Sequence, residues 1–316
     1  MTVVNVGPAR GAPEEGSPPP AWPGYERSRA GSTVTLVRET AGNALLILAA
    51  CLIGFVLWFA VLSRLDYDRA QVDSYANFRV SLALATAPTG PTNPADPTEL
   101  LAPGTPVAVL SIPEIGLNSV VFQGTTGQVL ESGPGHLRDT PLPGQPGVSV
   151  IFGRRTAYGG PFSRLPWLPV GDVFTVTTGQ GIATYRVLDL RLPGDPVPPV
   201  TPGQGRLILV TADGPPLAPS GVLHVDADLI SKPFPAPTMV LSPADLSASE
   251  QALGTDPTAL VPVVLWGVVL LGAAALLSWA GRRWGRWQTW IVAVPVVTFL
   301  SLSIADQVAR LLPNLM

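Results

Sequence analysis

Apolar and polar positions divide the chain into three kinds of stretch. The first is a long run without charge: AGNALLILAACLIGFVLWFAVLS over 41–63, a second over 258–281 and a third over 289–305. A hydrocarbon core about 30 Å thick is crossed by about 20 helical residues, so these runs predict three transmembrane helices. Arg38 and Arg64 bound the first, and Trp58 suits an interfacial belt. The third is shorter and holds Pro295. The second kind of stretch alternates in short β segments between Gly/Pro turns, at 106–112, 119–123, 148–152, 172–178, 183–190, 206–212 and 222–229. Seven to eight such strands predict a mainly β domain, closed or nearly closed as a barrel. The third kind has no period: a Pro-rich start within 1–40, a linker over 85–104 and a tether over 231–257. After the first span, Val72, Tyr75, Phe78 and Leu82 predict a helix with one apolar stripe.

Charge orients this plan. The cluster Arg282-Arg283-Trp284-Gly285-Arg286 separates the last two runs, and short basic loops stay cytoplasmic. The expected order is a disordered cytoplasmic N-terminus (1–40), a span (41–63), an extracytoplasmic helix and linker (64–104) and the barrel (105–230). The tether (231–257), a span (258–281), a cytoplasmic Arg-rich loop (282–288), a span (289–305) and an extracytoplasmic tail (306–316) complete it. Forty residues before the first run speak against a cleaved signal peptide. The string Leu48-Ala49-Ala50-Cys51 looks like a lipoprotein cleavage site, but apolar residues continue beyond it and the reading is rejected.

Composition agrees with lipid contact: 47% of residues are hydrophobic and 13% charged. A formal charge of −3 gives no reason to expect a nucleic-acid partner. Between residues 66 and 256 ten basic side chains face seventeen acids, 10 − 17 = −7, which reads as solubilising charge. Cys51 is the only cysteine, so no internal disulfide forms.

Candidate chemistry is sparse. His136 follows Gly-Pro-Gly and reads as a loop histidine, while His224 alternates with Val222 and Asp226 on one strand face. Ser220, His224 and Asp213 make a Ser–His–Asp set on paper, without a Gly-x-Ser-x-Gly elbow. No His/Cys/carboxylate cluster has metal-ligand spacing, and no cofactor is expected. Arg154-Arg155 read either as solvent-facing loop arginines paired with a carboxylate or as a fork for a carboxylate or phosphate.

Several blocks, in order, resemble the sortase family, and actinobacterial class E sortases most closely. They are VAVLSIPEIGLNSVVFQGT (107–125), GPGH (133–136), TPLPGQPGVSVIFG (140–153), RTAYGGPFSRLPWLPVGDVFTVTTGQGIATYRV (155–187) and RLILVTA (206–212). The resemblance implies a sortase-like closed barrel with short helices. It also implies a transpeptidase in which a cysteine attacks a sorting signal such as Leu-Pro-x-Thr-Gly, a histidine moves protons and an arginine steadies the oxyanion. Here the implied histidine position holds Arg154, the cysteine position Ala212 and the arginine position Gly221 or Val222. An arginine cannot release a proton at neutral pH, and a methyl group cannot attack a carbonyl. The expected protein is a multi-pass plasma-membrane protein with a non-catalytic, pseudo-sortase domain outside. That domain binds a peptide or sorting signal, a membrane-protein partner or an active sortase across a cleft lined by Arg154, Arg155, Thr211, Asp213, Ser220 and His224. The alternatives are a divergent transpeptidase or hydrolase with an unrecognised nucleophile, and a structural subunit of a membrane complex.

Overall fold

Eight strands close into a barrel in the order β1-β2-β3-β4-β7-β8-β6-β5, as drawn from a computed structural model. The strands are β1 Pro106–Ile112, β2 Leu117–Gln123, β3 Gly135–His136, β4 Gly147–Phe152, β5 Val173–Thr178, β6 Gly181–Arg191, β7 Gly205–Asp213 and β8 Gly221–Leu229. The structure describes residues 2, 42, 45 and 47–316, except 97, 216–218 and 239, and without the side chains of Ala60, Arg282, Trp284 and Arg286. Most of the N-terminal segment expected to be disordered, and residues 41, 43, 44 and 46 of the first expected span, lie outside the described residues. The segment Ile47–Met316 forms one compact unit.

Alternation along the strands sorts their two faces. Leu207 and Leu209 of β7 and Leu223, Val225 and Ala227 of β8 point inward with Val107, Leu110, Ile151, Phe174, Val187 and others. Phe174 stacks on Tyr185 at 5.7 Å between ring centres, and the Tyr185 hydroxyl accepts from the Gly144 N–H at 2.6 Å. β4 runs parallel to β7, and β7 antiparallel to β8 with Ala212 opposite Val222 and Val210 opposite His224. The intervening residues, Ile208, Val210 and Ala212, therefore face outward. Seven of the eight strands match the alternating segments. β3 is only two residues long, too short to show a period, and it places His136 in the sheet rather than in a loop.

The helix entering the barrel is unbroken. α1 (Ile47–Leu57) leads through one π-helical turn (Trp58–Leu62) into α2 (Ser63–Ala83). The expected stripe on α2 is half right. Phe78 is buried among Val109, Val120, Phe122 and Val129 with Leu82 beside it, but Val72 and Tyr75 are exposed. Their places are taken by Tyr67 and Gln71. Gln71 donates to Val120 O (3.2 Å) and Ser132 O (2.7 Å) and accepts from Val120 N (2.7 Å), and the Tyr67 hydroxyl pairs with that of Ser119. Because β3 is so short, the middle of β2 lacks a strand on that side. The Gln71 amide supplies both halves of the missing backbone partner.

Beyond the barrel, α3 (Gly127–Ser132) follows β2, and α4 (Leu260–Trp284) and α5 (Arg286–Leu311) pack against each other. Two segments, Pro257–Gly281 and Trp287–Leu311, are long and apolar enough to cross a membrane. α5 runs past the expected 289–305 at both ends and passes through Pro295. It stops at Leu312, ahead of Pro313, whose ring disfavours the helical conformation of the residue before it.

Candidate functional site

The three positions singled out by the family resemblance meet on the outer face of the β4–β7–β8 edge. Ala212 and Val222 are Cα partners, and Gly153, next to Arg154, donates its N–H to Val210 O at 2.9 Å. Gly153 must be small: a Cβ there would come within 2.4 Å of the Phe162 ring. The backbone thus brings the positions together, but what they carry is a methyl group, the bare Gly221 or the isopropyl group of Val222, and a guanidinium that turns away.

Arg154 is not at the mouth of a cleft. It is 2% exposed, donates to Gly127 O at 2.8 Å and lies over the Tyr158 ring, 4.8 Å from its centre. Burial works against its charge, opposed by Tyr158 and Glu131. Tyr158 in turn meets Trp58 edge-on at 5.5 Å, in a cluster with Ala157, Ala305 and Ala309. Burial also raises the Glu131 carboxyl above its usual range, offset by Arg310 and Arg154, and Arg310 Nε lies 3.5 Å from it. Arg154 therefore ties α3 to the 154–160 loop, and Tyr158 ties that loop to α5 and the π turn.

Arg155 matches the solvent-facing reading better. Its side chain is 23% exposed, donates to Ala212 O at 2.9 Å and stands 3.5 Å from Asp213 Oδ1. Thr211 is a correction: it is fully buried on the inner side and donates to Gly153 O at 2.8 Å, so it does not line a cleft. Ser220 is exposed at the end of the β7–β8 loop, with its N–H on Asp213 O. Residues 216–218 of that loop lie outside the described residues. His224 is partly buried opposite Val210 on one side and Arg191 on the other. Burial, then Arg191, pushes its pKa down, against Asp226. Four residues of β8 separate it from Ser220, roughly 13 Å at the strand rise, so Ser220, His224 and Asp213 form no triad.

Sequence reasoning missed the occupant of this face. Leu315, fully buried, packs with Leu130, Phe152, Val210 and Ala212, flanked by Val150, Ile208, Val222 and Leu253. Its carbonyl accepts the Arg155 N–H at 3.0 Å. Asn314, also fully buried, reaches Thr125 O (2.9 Å), Gln251 O (2.9 Å) and Ser249 O (3.3 Å) with its side-chain NH2, and its own N–H bonds Gly254 O. Ser249, Gln251 and Gly254 belong to the tether, which Glu250 fixes by accepting two bonds from Arg138 at 2.6 and 2.8 Å. The only sequence signal was an Asn after a Pro at the end of an apolar run. Two cavities of about 320 and 470 Å³ lie elsewhere, and neither includes a residue of this groove.

His136 belongs to the frame and not to the chemistry. It is 1% exposed, with Nε2 3.0 Å from Pro141 O and Nδ1 3.0 Å from the Gln123 side-chain amide. Burial pushes its pKa down to about 4 from an ordinary value of 6.5. The unfolded chain then binds the extra proton between these values, so stability is full above pH 6.5 and falls toward pH 4. The loss is up to about 3 kcal/mol. Thermal unfolding in detergent across that range should show the fall, and His136→Gln should flatten it.

Comparison with known proteins agrees with the frame. Residues 110–217 match the family model for the sortase domain. A crystal structure of sortase C-1 from Actinomyces oris shares 30% identity over 40% of this chain and 75% of that one, with a TM-score of 0.36. Sortase A of Corynebacterium diphtheriae, a lid mutant, shares 26% over 46% and 75%, with a TM-score of 0.37. The Clostridium perfringens sortase D5 transpeptidase shares 22% over 52% and 99%, with a TM-score of 0.41. No curated protein matches the chain. The chain belongs to the sortase family, through the domain that forms its barrel.

Proposed function

We propose that this protein is a non-catalytic member of the family: a multi-pass membrane protein whose barrel is held outside the membrane as an assembly module. The N-terminus is cytoplasmic in this reading, with the Arg-rich turn between α4 and α5 on the same side. The observation that carries it is what converges there among the described residues: Arg154 turned away and buried, Ala212 with a methyl group, Gly221 and Val222 with no polar side chain, and Arg155 engaged by Ala212 O and Asp213. Transpeptidation needs an ionised, exposed thiolate, and the one thiol of the chain, Cys51, sits in α1 beside Ser301. The structural-subunit reading gains from the same geometry, since Arg154 is spent on α3 and Tyr158, and Tyr158 on α5 and the π turn. Binding of a foreign peptide, sorting signal or active sortase at this face requires the C-terminal residues to leave it.

The test is direct. Detergent-solubilised full-length protein, incubated with a Leu-Pro-x-Thr-Gly peptide and glycine nucleophile, should show no acyl adduct by intact mass and no cleavage by chromatography. An adduct on any residue of 105–230, abolished by substituting that residue, would restore the enzyme reading.

A further inference from the structure

We infer that the last residues of the chain are a built-in ligand of the groove, a latch read chiefly through the amide of Asn314 and the side chain of Leu315. Through it, groove occupancy is coupled to the position of α5. The inference goes beyond the non-catalytic reading and does not depend on it.

Three independent features make this a recognition site and not a chain end lying on a surface. Asn314, Leu315 and Met316 are exposed by 0%, 0% and 4%. Second, Asn314 is read by carbonyls from two separate segments, Thr125 after β2 and Ser249 and Gln251 in the tether. An NH2 group facing only acceptors specifies an amide: aspartate, of the same shape, would present a carboxylate to those oxygens. Third, Leu315 packs with Leu130, Phe152, Val210 and Ala212, flanked by Val222, in one apolar cluster on the outer face of β7 and β8.

The latch is short. Leu311 ends α5 and the pocket is filled four residues later, so a shift of α5 draws directly on the seated residues. The ligand class that fits the vacated groove is an extended apolar peptide with an amide one residue before a branched aliphatic side chain. The chain's own terminus is the occupant we assign.

A thiol reporter reads this without any chemistry by the protein. In a Cys51→Ser background, a cysteine introduced as Ala212→Cys lies under Leu315, and a second reporter, Val222→Cys, lies at the pocket's edge. Alkylation by iodoacetamide in detergent should be slow in both. It should rise about 10-fold or more when Asn314→Asp or deletion of 314–316 releases the tail. The synthetic peptide Leu-Pro-Asn-Leu-Met, added to the deleted protein, should slow alkylation again. An exposed Ser220→Cys reporter gives the unprotected rate, and its constancy together with an unchanged melting profile shows that the barrel stays folded. If both groove reporters in the full-length chain react as fast as the one at 220, or if release leaves their rates unchanged, the latch is wrong. An acyl adduct in the preceding experiment would overturn the non-catalytic reading and leave these rates as they are.

Discussion

Replacing Asp226 by alanine should lower the stability of the barrel by about 3–5 kcal/mol, because it strands a guanidinium that the fold has already taken out of water. Asp226 is fully buried on β8 and receives both the Nε and an NH2 of Arg191, itself 7% exposed, from the neighbouring strand β6. Removing the acceptor leaves the charge with the full cost of its desolvation and no partner. Removing both, as Arg191→Met with Asp226→Leu, should cost far less, since a packed apolar pair has no such debt. The comparison separates the cost of breaking a pair from its net worth. Thermal unfolding of detergent-solubilised protein is the readout, with the double substitution nearer the parent than the single one. A single variant as stable as the parent would mean the pair opens to solvent.

Restoring sulfur alone should not restore chemistry. Ala212→Cys, even with residues 314–316 deleted, is expected to turn over sorting-signal peptide at least about 10⁴-fold more slowly than an active sortase. A general acid–base contributes about 10²–10⁴ and an oxyanion donor about 10²–10³, and the proposed non-catalytic reading supplies neither. Adding Arg154→His does not supply the first, because the side chain at 154 is directed under the groove toward Gly127 and Tyr158. His224 lies one diagonal step from position 212 but shares its surroundings with Arg191 and Asp226. Turnover by the single cysteine variant within about 10²-fold of an active enzyme would show that one of these groups had been misjudged.

What could be read from the residues follows the length and regularity of each element. Strands of six or more residues announce themselves by alternation, and the two-residue β3 cannot. The α2 stripe misled because half of its docking runs through hydrogen bonds: Gln71 is polar and points at the barrel, whereas Val72 and Tyr75 are apolar and do not. The residue types at the positions the resemblance implies were legible in the sequence. Where Arg154 would point was not, since that depends on Tyr158 arriving from α5's side of the fold. The tail was hidden for a related reason, because its partners Thr125, Ser249 and Gln251 use backbone carbonyls, which every residue has.

The unbroken rod from Ile47 through the π turn to Ala83 has a mechanical meaning. At 1.5 Å per residue it extends roughly 55 Å without a hinge. A domain on a floppy leash samples many attitudes and can reach outward for its counterpart. This one is mounted at two points, by the rod and by the base of α5, so tilting either helix must tip the barrel with it. Whatever engages the barrel meets it at an attitude that these two mounts help to set.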